Sequence, residues 1–302
     1  MVWWCGGRLM SFLVIANPHA GKGRGAHALS HVEAALRKRG IPHETALSGW
    51  AGHLVDIASL AARDGVSAIV LVGGDGTLFE ALNGMRRAGR MLPVAQIPIG
   101  TGNSFIKDLG IESMEDGLAA LRGEKTRKVD IGRIRSSAGE FHFANVVGAG
   151  FVADVAAGAS KFKLFGDLSY TIAVFLELAH LRSRPCRIRA DGRELERDAI
   201  FVEICNSRKT GGDMIMAPQA VLDDGKFDVV IAKAMNRRTL LKLFPLIFTG
   251  EHVHDPHVET FTCSRMDLEF DPPQRVTPDG ELLGVTPLSV EVIPRALEMF
   301  TL

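Results

Sequence analysis

Residues 68–80, AIVLVGGDGTLFE, constrain the fold more than any other stretch of the chain. The apolar run over 68–72 reads as a buried strand. It stops at Gly73, Gly74, Asp75, Gly76 and Thr77, and a helical pattern follows at once through Leu78, Ala81, Leu82 and Met85. Strand, glycine turn and helix start bring free backbone N–H groups close to an anion in an α/β protein. Asp75 is the odd member, because a carboxylate repels phosphate. It makes sense if a divalent cation lies between them, so the first expectation is a Mg-nucleotide site.

The same arrangement recurs twice. A strand over 11–16 runs into a loop over 17–25 rich in glycine, with Asn17 as a hydrogen-bond donor, and a helix over 26–39 ends at Gly40. A strand over 93–97 ends in the turn Pro98-Ile99-Gly100-Thr101-Gly102-Asn103-Ser104. A short strand over 42–46 and a helix over 51–63 lie between, and a helix over 77–88 follows the central turn. Alternating strands and helices imply a parallel sheet with right-handed crossovers. The turns then share the edge where such sheets bind ligands. The loop over 17–25 is not a Walker A motif, since no GK[ST] is present.

Past Arg122-Gly123 the pattern changes. Strand-like runs occur over 128–135, 140–147, 186–190, 199–206, 226–232 and 264–270, with a last one over 288–293. Apolar helices are expected over 168–181 and 238–248. This predicts a second, mostly antiparallel β domain, with domain boundaries at 1–128 and 129–302.

A chain of 302 residues is long enough for two domains, and a formal net charge of zero gives no global field for nucleic acid. The four cysteines form no CxxC pair, which predicts reduced thiols rather than a zinc site or a disulfide scaffold. No apolar run is long enough for a membrane helix, and residues 1–9 make a poor signal peptide. A cytoplasmic protein touching the membrane only peripherally is expected. Met10, just before the first strand, is a second candidate for the start. The sequence does not fix the oligomeric state, and a homodimer stays open. HVHDPH over 252–257 has no zinc spacing and reads as a solvated strand or loop. The basic and aromatic alternation over 161–165 suits either a membrane surface or a half-buried element, while 240–248 reads as core.

GGDGT at 73–77, NPxxG at 17–21, PxGTGN at 98–103 and DGE at 279–281, in that order, resemble the diacylglycerol kinase catalytic family, most of all its soluble bacterial lipid kinase branch. Sphingosine and ceramide kinases are relatives. VDIG at 129–132, FAN at 143–145, GAGFVAD at 148–154, Asn206, Gly211-Gly212, Ala217-Pro218 and DDGKFD at 223–228 extend the resemblance over about 11–300. It implies a three-layer α/β nucleotide-binding domain of the NAD kinase and phosphofructokinase type, followed by a β-sandwich-like domain. The active site would lie in the cleft between them, with the last segment packing back on the first domain. It further implies an ATP- and Mg²⁺-dependent lipid kinase acting on diacylglycerol or a related lipid.

The resemblance also distributes the roles. The nucleotide site would include Asn17, Gly73, Gly74, Asp75, Gly76, Thr77, Leu78, Phe79, Thr101, Gly102 and Asn103, with Asp75 on the nucleotide's Mg²⁺. Thr45, with Ser48 as rival, would supply a threonine-type contact after the second strand. Asp279, which by residues alone reads as the turn of a hairpin, becomes the acceptor of the lipid hydroxyl's proton, with Glu281 tuning it. A structural Mg²⁺ would sit on Asp224 and the carbonyls of Val221 and Lys226. One departure stands out: Ser104 follows GTGN where most relatives place aspartate, and Asp108 lies one turn beyond. Two other readings remain. One is an NAD kinase-like phosphotransferase; the other is a non-catalytic nucleotide- or lipid-binding regulator of the same fold.

Overall fold

The computed structural model describes residues 4–5, 8–9, 11–17, 24–63, 66–100, 102–123, 125–161, 173 and 176–302. The expected features at 18–23, Thr101, 162–165 and most of the helix over 168–181 lie outside them. The chain divides into two compact units, Met1–Val129 with Arg295–Leu302, and Asp130–Pro294.

In the first unit the elements are β1 (Trp4–Cys5), β2 (Arg8–Leu9), β3 (Phe12–Ala16), α1 (Arg24–Lys38), β4 (His43–Leu47), α2 (His53–Arg63), β5 (Ala68–Gly73), α3 (Asp75–Ala88), β6 (Val94–Pro98), α4 (Ser104–Lys107) and α5 (Met114–Gly123). The first two form a small hairpin. The sheet runs in the order β4, β3, β5, β6, all parallel, with Ala16 opposite both Leu47 and Val72 and with Gly73 opposite Pro98. Every residue of β5 is buried, as a parallel strand covered on both faces requires. Helix α2 packs on α3, and α1 on α5, to give the helical layers.

The contact between α2 and α3 depends on Gly84, where a Cβ would come within 2.4 Å of the Val55 carbonyl oxygen and 2.9 Å of Ala58 Cβ. Gly84→Ala should therefore lower stability by about 1–3 kcal/mol, read by urea unfolding. Unchanged stability would contradict this close approach.

The second unit begins within β7 (Thr126–Ser136) and continues through β8 (Gly139–Phe143), β9 (Val146–Gly150), α6 (Phe151–Lys161), β10 (Arg184–Ala190), β11 (Arg193–Cys205), β12 (Lys209–Thr210), β13 (Met214–Ile215), β14 (Phe227–Lys233), α7 (Arg237–Leu243), β15 (Val258–Cys263), β16 (Arg265–Phe270), β17 (Val276–Pro278) and β18 (Leu288–Phe300). The end of β18 belongs to the first unit, where Met299 pairs in parallel with Val94 of β6. Antiparallel pairing runs β15, β14, β11, β10, β16, β18. Strand β11 pairs with β10 over its first half and with β9 over its second, and its register against β14 shifts between Ala199 and Phe201. A strand shared in this way bends the sheet into a sandwich-like arrangement.

Alternation along β11 feeds two cores. Val202 and Ile204 join Val147, Phe227, Leu268 and Val290. Phe201 and Cys205 join Val146, Val152, Met214 and Leu240 on the other face. Cys186, Cys205 and Cys263 are free and buried. The structure corrects the expected elements in several places. The run over 140–147 breaks into β8 and β9, and within GAGFVAD β9 ends at Gly150 and α6 starts at Phe151. The helix over 238–248 is α7 followed by a 3-10 turn over Phe244–Phe248.

Candidate active site

Asn17 and Gly100 follow the C-terminal ends of β3 and β6, and Gly73 ends β5, at one edge of the parallel sheet. Asn17 follows β3, and its N–H approaches the Val72 carbonyl. Gly74 caps α3 in an extended conformation, so this helix begins at Asp75, two residues earlier than the sequence pattern suggests. Gly74 and Gly100 press together: a Cβ on Gly100 would lie 3.2 Å from Gly74 Cα and 3.0 Å from Asn103 Oδ1. A side chain at either position would be crowded by Asn103. The result is a bare backbone edge at the start of a helix of 14 residues, which is suited to an anion.

Asp75 ties two of the turns together. Its Oδ2 accepts the Ser104 N–H at 3.0 Å, and the N–H groups of Phe105 and Asn103 also favour its carboxylate. Burial nevertheless raises its pKa above the usual aspartate value, against those N–H groups and Lys107. Its other oxygen, Oδ1, is shut off from solvent with no hydrogen-bond partner. This oxygen is chemically fit to engage a cation.

Several expected nucleotide contacts need correction. Thr77 is buried, and its side chain lies over Gly73, where a Cβ would come 2.1 Å from the Thr77 hydroxyl oxygen position. Leu78 and Phe79 are core side chains, so only their backbone faces the turn. The Asn103 amide, expected to donate to phosphate, donates instead to the Gly100 carbonyl at 2.8 Å from a left-handed backbone conformation (φ 50°). Thr45 lies mid-strand and exposed, with its hydroxyl on Glu33. It is not at the edge. Ser48, buried and donating its N–H to the Ala16 carbonyl, is. Sequence reasoning also missed Trp50, exposed beside Ser48 and stacked on His53 at 3.8 Å. Asp108, one turn beyond Ser104, closes α4 as its C-cap.

In the second unit Asp279 sits in a tight turn, with φ 48° and the Glu281 N–H donating to the Pro278 carbonyl at 2.8 Å. This is the geometry that the hairpin-turn reading expects. Its carboxylate accepts the backbone N–H groups of Ala144 at 2.8 Å, Asn145 at 2.9 Å and Val146 at 3.0 Å. Its own N–H donates to the Val146 carbonyl. These bonds fix its orientation. Glu281 is exposed.

Buried Asn206 donates to the carbonyls of both Ala144 and Asp130. Asp130, fully buried, accepts the Gly225 N–H at 2.7 Å, and its own N–H donates to the Leu222 carbonyl at 2.6 Å. Asp130 therefore organises the 221–226 loop, a role that sequence reading did not assign. Asp224 accepts the Lys226 N–H at 3.0 Å and repels Asp228, whose pKa rises to about 6, mainly through burial. Among the described residues no three His, Cys, Asp or Glu side chains group to hold a metal, so a cation here would need carbonyl and water ligands beside Asp224. That donor set suits Mg²⁺. The HVHDPH run, expected as a solvated strand or loop, starts instead in a 3-10 turn over Glu251–His254, where His252 is buried against the Met216 carbonyl and burial lowers its pKa.

The comparisons agree with this architecture. Residues 11–134 match the model of the diacylglycerol kinase catalytic domain, and 145–301 match the YegS C-terminal NAD kinase beta sandwich-like domain. A diacylglycerol kinase of Mycobacterium tuberculosis (strain ATCC 25618 / H37Rv) is 31% identical over 290 residues, covering 94% of this chain and 93% of that protein. One from Bacillus subtilis (strain 168) is 28% identical over 279 residues, covering 91% and 90%. A crystal structure of a diacylglycerol kinase from Bacillus anthracis str. Sterne superposes with a TM-score of 0.75 at 21% identity over 97% of each chain, a likeness of fold. By its matched domains and its mycobacterial relative, the chain belongs to the diacylglycerol kinase family of lipid kinases.

Proposed function

We propose that the protein transfers the γ-phosphoryl group of ATP to a free hydroxyl of diacylglycerol or a related lipid. The observation that carries this reading is the close approach of Gly74 and Gly100 at the start of α3, because glycine backbone at a helix N-terminus suits a polyphosphate. Asn17, Gly73, Gly76 and Gly102 belong to the same nucleotide site, with Thr101 completing it. Ser48 takes the place first given to Thr45.

The acceptor's hydroxyl oxygen attacks the γ-phosphorus, the bond to the β,γ-bridging oxygen breaks, and ADP leaves. Asp279 takes the hydroxyl proton, and Glu281 tunes that turn. A Mg²⁺ ion, when bound, neutralises the phosphate charge, and Asp75 Oδ1 is the group that would engage it. A second Mg²⁺ at Asp224 with the Val221 and Lys226 carbonyls would hold the loop that Asp130 organises. Incubation with ATP, Mg²⁺ and dispersed 1,2-dioleoylglycerol tests the reading. The expected product is the corresponding phosphatidic acid, identified by mass, and its absence would count against this acceptor class.

The acceptor lives in a bilayer, so the protein must reach one. No described helix is long and apolar enough to cross a membrane. A surface suited to peripheral contact is present at α7 and the turn after it. Leu240, Leu243 and Ile247 are buried there, while Leu241, Leu246 and Phe248 are 39%, 39% and 46% exposed. Arg237, Arg238 and Lys242 flank them, and no acidic residue occurs from Val229 to Gly250. Apolar side chains ringed by cations suit an anionic lipid surface. We expect vesicles containing phosphatidylglycerol to bind the protein better than pure phosphatidylcholine, and Phe248→Glu to remove most of that binding in a flotation assay. Equal binding of wild type and variant would contradict this contact surface.

A further inference from the structure

Three adjacent strands of the second unit place Thr277, Gly148 and Glu203 directly opposite one another, Thr277 against Gly148 and Gly148 against Glu203. All three therefore face the same side, the core that also holds Val146, Val152, Phe201 and Cys205. Gly148 lies between the other two, with the Val152 side chain packed over it. A Cβ there would stand 3.2 Å from Thr277 Cγ2 and 3.5 Å from Glu203 Oε1, and it would collide with Val152 Cγ2 at 2.7 Å.

Both polar neighbours of that glycine lack a partner. Glu203 Oε2 and Thr277 Oγ1 are sealed from solvent and make no hydrogen bond. Burial alone pushes the Glu203 carboxyl up to about 8, with no cation to offset it, so the group is a neutral acid and a hydrogen-bond donor at pH 7. An apolar side chain would fill this position at lower cost to stability. Two orphaned groups sharing one face across a glycine mark a place built for a polar ligand atom inside an apolar wall. Strand β17 also runs directly from Thr277 into Asp279, whose N–H bonds β9 two residues from Gly148.

We propose that the Glu203 carboxyl and the Thr277 hydroxyl bind an ester carbonyl of the lipid acceptor and select ester-linked over ether-linked diglycerides. Admitting that group requires Val152, on the first turn of α6, to move off Gly148. The inference rests on the lipid kinase reading above.

The test compares kcat and KM for 1,2-dioleoylglycerol and for its 1,2-dialkyl ether analogue in mixed micelles. The wild type should prefer the ester about tenfold in kcat/KM, a ratio typical of one directed hydrogen bond. Glu203→Leu should raise the KM for the ester about tenfold while leaving the KM for ATP and the ether substrate unchanged. Glu203→Gln, which keeps an N–H donor, should retain the preference. Thr277→Val removes only a hydroxyl and should show the same loss, which keeps the test decisive if Glu203→Leu does not fold. A wild type that treats ester and ether alike, or folded Glu203→Leu and Thr277→Val variants with undiminished ester preference, would overturn the inference; the second result would indicate a buried water instead. A wild type that phosphorylates neither lipid would remove the acceptor assignment itself.

Discussion

Asp279→Asn should lower turnover by about 10²–10⁴ while the KM for ATP changes little, because it removes a general base and leaves the glycine turns untouched. Asparagine is the informative replacement. Its carbonyl oxygen can still accept from Asn145 and Val146, while its amide opposes the Ala144 N–H that Asp279 now satisfies. The structural cost is thus about one hydrogen bond, on the order of 1 kcal/mol, and the fold should survive. Alanine would abandon all three donors and mix a stability loss with the catalytic one. Steady-state kinetics beside a thermal melt separate the two effects. Turnover like that of the wild type in a folded Asp279→Asn protein would remove this residue from proton transfer.

Glu203 should govern how stability varies with pH. Its carboxyl stays protonated in the folded protein up to about 8, whereas the unfolded chain releases that proton near 4.5. Between those values the unfolded state binds fewer protons, so stability falls as pH rises. Integrated over that window the loss is on the order of 3–5 kcal/mol. Glu203→Gln cannot ionise and should flatten most of the slope, so that it becomes the more stable protein at pH 8. Asp75 and Asp228, also raised by burial, leave a residual slope of the same sign. Urea unfolding of both proteins from pH 5 to 9 reads the effect. Parallel curves would show that Glu203 ionises at its ordinary pH.

The first unit is largely legible in the sequence because its information is local. A continuous apolar run as short as AIVLVG, closed by glycines, fits a covered strand, and those glycines mark the turn. What stayed hidden depends on partners distant in the chain. Nothing near Asp75 announces that its carboxylate rests on the N–H of Ser104. Thr45 and Ser48 differ in register alone, and pairing with β3 decides that only Ser48 reaches the edge. In the second unit the family resemblance places a glycine-rich strand and turn at GAGFVAD; β9 does run to Gly150, but α6 starts at once at Phe151. Asp279 was visible only through the family motif, since an Asp-Gly pair by itself signals a turn. Glu203 gave no signal, because one acid in a strand ordinarily points to water. Only the second half of β11, covered on both faces, places it inside.

The central claim is that this protein moves phosphate from ATP onto a lipid hydroxyl. The most direct test offers the protein γ-labelled ATP together with a mixed lipid extract and a pool of soluble metabolites that includes dinucleotides, and then identifies every labelled product by mass. The expected result is label in a chloroform-soluble phosphomonoester of a diglyceride or a closely related lipid. Label confined to a soluble metabolite would contradict the account and favour a dinucleotide phosphotransferase. ATP binding without label in any product would favour a regulator that keeps the fold without the reaction.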